Sequence, residues 1–146
     1  QLFLNISLWV IIIICLLICL FAYPLIRYTY GFQYLAAVSI LQITIFKEIG
    51  YACAQASGTM IITEGIQKYA VLRNLIGCVI NITLNLFLIP NLGVIGAAIC
   101  SVITAFCTGY LAHAIIPMYR HIFKMQTRSI FIGWKDVIHV QKLLKS

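Results

Sequence analysis

The hydrophobic and polar positions of this chain fall into four apolar runs separated by short polar breaks. Residues 2–26 contain no charge until Arg27, which is enough length to cross a hydrocarbon core of about 30 Å. Residues 34–63 form a second run, interrupted by Ser39, Gln42, Thr44, Lys47, Glu48, Tyr51, Gln55, Ser57 and Thr59. Residues 69–89 and 93–116 form the third and fourth. The junction between these two is the most informative stretch, Asn85 to Ala98. Pro90 lacks an N–H and its ring clashes with the preceding turn, so it predicts a helix end at residue 89. Gly93 gives the chain freedom to turn back, and Gly96, Ala97 and Ala98 let the next helix approach closely. Two long apolar helices joined by so short a loop predict an antiparallel transmembrane hairpin. The pattern therefore predicts an all-α membrane protein with four transmembrane helices in residues 1–118 and a basic tail over 119–146. Within the tail, Trp134, Val137, Ile138 and Leu144 recur at helical spacing, which fits either a short interfacial helix or a solvated segment.

Composition sharpens this picture. Hydrophobic residues make up 63% of the 146, charged residues 9%, and mean hydropathy is +1.05. A soluble domain of this size cannot hide that much apolar surface, so the bilayer has to act as solvent. The net charge of +7 does not point to nucleic acid, because no basic face interleaved with aromatics and no recognition motif is present. With four spans, Lys68, Arg73, Arg120, Lys124, Arg128, Lys135, Lys142 and Lys145 fall on one side and only Arg27 on the other. That bias predicts a multi-pass protein of the cytoplasmic membrane with its C-terminus in the cytoplasm. The chain starts on Gln1 inside an apolar run, with no basic n-region or cleavage site, and reads as the C-terminal part of something longer. The six cysteines, at 15, 19, 53, 78, 100 and 107, form no C-x-x-C pair and have no His at ligand spacing. They read as small buried hydrophobes, with no metal and no cofactor expected.

The candidate chemistry lies on the second and third spans. At about 100° per residue, Thr44, Lys47, Glu48, Tyr51, Gln55 and Thr59 share an arc of roughly 120°. A mid-span charge such as Lys47 costs ~2.5–3.5 kcal/mol on insertion scales, so it should face protein, water or ligand rather than lipid. Glu48 is its sequence neighbour, and adjacent helical residues do not face each other. Each therefore needs a partner elsewhere: an ion pair between helices, or a substrate. On the third span Asn74, Gly77, Cys78, Asn81 and Asn85 form a stripe in which Asn81 and Asn85 can join helices or contact a substrate. The fourth span repeats small residues at Gly93, Ala97, Ser101, Ala105 and Gly109, a packing seam, and His113 near its end reads as interfacial. No nucleophile–base set, paired acidic site or phosphate-cradling loop is visible, so no catalytic residue is assigned and an enzyme is not expected.

The stretch Pro24–Ala37, followed by a polar helix and then Asn81-Ile-Thr-Leu-Asn-Leu-Phe-Leu-Ile-Pro-Asn-Leu-Gly-Val-Ile-Gly-Ala-Ala98, resembles the C-terminal part of polysaccharide repeat-unit (O-antigen) flippases. These belong to the polysaccharide transporter family of the multidrug/oligosaccharidyl-lipid/polysaccharide exporter superfamily. The likeness covers about residues 20–116, and its most specific part is the Asn-x-x-x-Asn…Ile-Pro-x-x-Gly-x-x-Gly-Ala-Ala piece. It implies a fragment of a twelve-helix, two-lobe exporter around a central cavity, whose partners are a lipid-linked oligosaccharide, membrane lipids and the N-terminal helices of the same protein. The implied activity is translocation of undecaprenyl-pyrophosphate-linked repeat units across the bacterial inner membrane. Lys47, Glu48, Tyr51, Gln55, Asn81 and Asn85 are the candidate substrate contacts. Three other readings stand beside it: a cation-coupled drug exporter of the same superfamily, a membrane-embedded polymerase or ligase, and a small non-transporting membrane subunit. The scarcity of acids weighs against the first of these, and the short loops against the second.

Overall fold

The computed structural model describes the backbone of residues 2–143 and the side chains of residues 4–131 and 133. Among the described residues there is no strand. The helices are α1 (Leu2–Thr29), α2 (Ala36–Thr44), α3 (Lys47–Thr63), α4 (Lys68–Phe106), α5 (Ala112–Ile115) and α6 (Arg120–Leu143). A π-helical segment, Cys107–Leu111, joins α4 to α5, and short 3₁₀ turns lie at Phe32–Tyr34 and Pro117–Tyr119. Three stretches are helical, long and apolar enough to cross a membrane: Leu4–Thr29, Ala36–Thr63 and Lys68–Ile115. Their outer surfaces suit lipid. Leu20 is 76% exposed and Phe21 60% exposed on α1, as are Leu86 (70%) and Phe87 (67%) on α4. Leaving such side chains in water would forfeit about 1.5–3 kcal/mol each.

The third stretch folds back on itself. Gly93 has φ 56° and ψ −134°, a conformation open to glycine and strained for any other residue. The limbs on either side, residues 68–92 and 94–106, run antiparallel and touch along their length. A Cβ on Gly96 would strike the Leu88 carbonyl, and one on Gly77 the Thr108 methyl. Between these points the Asn81 Nδ2 donates to Thr104 Oγ1 at 3.2 Å. The hairpin is therefore real, but its pivot is Gly93 and not Pro90. Pro90 lies within the last turn of the first limb, where the one hydrogen bond it deletes is tolerated. Beside it the Asn91 side-chain amide donates to the Phe87 carbonyl at 2.7 Å.

Two other elements differ from the sequence pattern. The run over 34–63 is not one helix, because the chain tightens at Ile45 and Phe46 into i→i+3 bonds: Phe46 N–H to Ile43, Glu48 N–H to Ile45 and Ile49 N–H to Phe46, at 3.1–3.2 Å. The Ile45 carbonyl also accepts the Cys15 thiol from α1 at 3.4 Å, and Gln42 donates to the Cys19 carbonyl at 3.1 Å. Lys47 thus opens α3, and Thr44 belongs to α2. The second difference is the segment after residue 119. It forms α6, which packs on α1 and α3 instead of trailing into solvent: Trp9 Nε1 donates to the Ser129 carbonyl at 3.3 Å, and Gly133 abuts the Asn5 side chain. The facing of Trp134, Val137, Ile138 and Leu144 lies outside the described residues.

The buried core consists of small contacts at crossings. Leu4 and Leu8 meet Cys53 and Ala56, and Ile61 meets Ile116, Tyr119 and Ile122. At the closest crossing, Gly50 of α3 meets the backbone of Ala105 at the end of the second limb and of Gly109 in the π turn. A Cβ on Gly50 would stand 2.6 Å from the Ala105 carbonyl carbon, and one on Gly109 would overlap the Gly50 carbonyl oxygen.

Candidate functional site

The glycine crossing brings α3 against the hairpin, and beside it an open cavity of about 710 Å³ separates α3 from the first limb. Tyr51 and Gln55 line it from α3. Arg73, Asn74, Gly77, Cys78 and Asn81 line it from the first limb, with Thr104 and Thr108 behind. The first-limb residues are the polar stripe of the third span from Asn74 to Asn81, extended by one residue to Arg73: positions 73, 77 and 81 follow at i, i+4 and i+8, one face of a helix. On the opposite side of Tyr51 and Gln55 a second cavity of about 380 Å³ is lined by Ser7 from α1 and by Glu48 and Thr59 from α3. Tyr51 and Gln55 stand on the ridge between the two.

The six candidate contacts are thus distributed unevenly. Tyr51, Gln55 and Asn81 meet at the larger cavity, and Glu48 joins Tyr51 and Gln55 at the smaller one. Lys47 is half-buried at the first residue of α3 and lines neither. Asn85 sits one turn beyond Asn81, donates to its Oδ1 at 2.9 Å, and borders a shallow apolar groove with Ile82, Leu86 and Pro90. Among the described residues the single ion pair is His121 with Glu64, at 3.0 Å. Among these residues neither Lys47 nor Glu48 makes an ion pair.

Arg73 was grouped by sequence with the flanking cations and was not singled out. In the fold it is half-buried on the cavity wall, and its Nε and Nη1 are shielded from solvent with no hydrogen-bond acceptor among the described residues. Shielded charged donors without partners cost more than the 1–3 kcal/mol of a neutral orphan. A guanidinium fork is built for bidentate capture of a carboxylate or phosphate. Tyr119 lies within its electrostatic reach. Burial raises the Tyr119 phenol above its ordinary value while the guanidinium works against that shift, so the phenol is neutral near pH 7 and donates to the Ile66 carbonyl at 3.2 Å. His113 is fully buried against Tyr119, ring centroids 5.4 Å apart.

A second residue missed from sequence is Gln126. It has no exposure, and its Nε2 reaches Ser57 Oγ at 2.6 Å, the Gly109 carbonyl at 3.0 Å and the Cys53 carbonyl at 3.1 Å. The amide cannot be reversed, because its oxygen would then face two carbonyl oxygens. The widened π turn at Cys107–Leu111 sets the Gly109 carbonyl against Gln126.

Among the described residues no group of three His, Cys, Asp or Glu side chains is close enough to hold a metal, and the six cysteines are free thiols. The larger cavity offers a cation with unused donors, amides from Gln55, Asn74 and Asn81, and hydroxyls from Tyr51, Thr104 and Thr108. Such a wall can hold an anionic group beside a hydroxyl-rich one. No family model, curated protein or solved structure matches the chain. What fold and site define is a class: an all-helical chain compatible with a multi-pass membrane protein, carrying a polar cavity between apolar helices.

Proposed function

We propose that the chain is the C-terminal part of a carrier that moves undecaprenyl-pyrophosphate-linked O-antigen or related polysaccharide repeat units across the bacterial inner membrane. In this reading the residues form four crossings of a twelve-helix, two-lobe exporter, the C-terminus is cytoplasmic, and the helices completing the cavity precede Gln1. The observation that carries the proposal is the Arg73 guanidinium, whose shielded Nε and Nη1 find no partner among the described residues, on a cavity wall of amides and hydroxyls. A lipid-linked diphosphate sugar presents the complementary groups: anionic oxygens for Arg73, hydroxyls for Tyr51, Gln55, Asn74 and Asn81. Arg73 takes the phosphate-attracting role that mid-span depth alone would give Lys47. Lys47, beside the helix break, faces whatever the preceding helices supply.

The test uses the full-length carrier in a strain lacking its own flippase. Arg73→Ala is expected to cut surface polysaccharide roughly 10- to 100-fold, the worth of a charged hydrogen-bond set, at unchanged protein abundance. Arg73→Lys should retain part of the activity. Normal export by Arg73→Ala at normal abundance would refute the reading. A cation-coupled exporter is the second reading, and one observation favours it: Glu48 is an acid inside a span that lines a cavity with no ion-pair partner among the described residues. Glu48→Gln would then abolish pH-dependent drug efflux, an effect the flippase reading does not give.

A further inference from the structure

The transport reading makes no use of α6, whose two faces differ sharply. Ile122, Gln126 and Ser129 are fully buried, as is Tyr119 just before the helix. Arg120, Lys124 and Arg128 are all exposed. At about 100° per residue the three cations fall within an arc of roughly 80° opposite the buried strip. Phe131, 74% exposed, falls in the same arc. Lys135 and Lys142 continue the spacing along the helix sequence. The described side chains of α6 include no acid, and the nearby Glu64 carboxylate is taken by His121 at 3.0 Å. Among the described residues no ion pair engages the three cations.

The height of this face is fixed. The apolar stretch Lys68–Ile115 ends five residues before Arg120, and the Pro117–Tyr119 turn is tied to the loop that follows α3 by the Tyr119–Ile66 hydrogen bond. The first cation therefore stands about one turn from where the apolar surface stops, at headgroup level. A face that water alone solvates tends to mix signs; this one carries a single sign with an aromatic inside it. That is the pattern of a helix seated on an anionic lipid surface.

We propose that the Arg120–Lys124–Arg128 face binds the phosphate headgroups of anionic phospholipids, holding α6 along the bilayer surface on the side where residues 64–67 emerge. The proposal is independent of what the carrier transports. It is tested with the purified full chain in neutral-detergent micelles, by native mass spectrometry of bound phosphatidylglycerol against phosphatidylcholine at low and high salt. The expected result is preferential retention of phosphatidylglycerol that salt removes. Each cation contributes about fivefold, so R120Q/K124Q/R128Q should weaken retention on the order of a hundredfold, while R27Q at the far end leaves it unchanged. Lys124→Gln alone, at about fivefold, keeps the test readable if the triple variant fails to fold. Equal retention of the two lipids, unchanged retention by the variants, or displacement by glycerol phosphate at equal concentration would overturn the proposal. So would capture of RNA or an acidic protein by this face in place of lipid.

Discussion

Gln126 shows how much a single side chain can hold in this fold. One carboxamide nitrogen joins α6 to the backbone of α3 and to the π turn, and replacing it by leucine leaves the carbonyls of Cys53 and Gly109 facing an apolar group. Gln126→Leu is expected to cost about 1–3 kcal/mol in all, since the Cys53 carbonyl keeps the Ser57 hydroxyl at 2.7 Å; it is read as a fall in thermal unfolding temperature in detergent, whereas Gln55→Leu on the open cavity wall should change stability little. Neither Gln126 nor Arg73 was legible in sequence. Arg73 sits near the start of its helix, and a basic residue there looks like any membrane flank. Only the packing of α3 alongside reveals that two of its nitrogens are shielded. Tyr51, Gln55 and Asn81 were legible because polar residues at helical spacing inside an apolar run must share a face. Lys47 was placed by depth, and depth says nothing about which neighbour stands opposite.

Among the elements, the hairpin was written plainly in Pro90, Gly93 and the small residues after them, though the assignment of the break to proline was mistaken. A proline in a helix's last turn deletes one bond, while Gly93 adopts a positive φ that reverses the chain. The tightening at Ile45–Phe46 left no mark, since neither residue is a breaker and both retain right-handed helical angles. The seam of small residues was legible, and its use is specific: Ala105 and Gly109 meet Gly50 with no space for a side chain. Gly109→Val therefore forces the backbones apart. It should destabilise by more than the ~1–3 kcal/mol of ordinary core overpacking, because the obstructing atoms are main chain. Gly58, with open space beside it, is the control: Gly58→Ala should leave the yield of folded protein near that of the parent chain.

For the whole molecule the charge distribution makes one decisive prediction. Alkaline phosphatase fused after Ser146 should be inactive, and fused within the Gly93 turn active; the reverse pattern would invert the orientation read from eight cations against one. The packing of α6 on α1 and α3 was not legible, because its apolar strip is interrupted by the buried Gln126 and Ser129, which hydrophobic periodicity counts as surface. The turn at Gly93 also bears on how the chain enters a bilayer. Between Arg73 and His113 the sequence holds no Asp, Glu, Lys or Arg, so if the two limbs span a bilayer the tip crosses hydrocarbon without carrying a charge through it. The Asn81 amide, costly to expose to acyl chains on a lone limb, is already satisfied by Thr104 once the limbs pair. Biogenesis then favours insertion of the two limbs together, as one folded pin, over threading them one after the other.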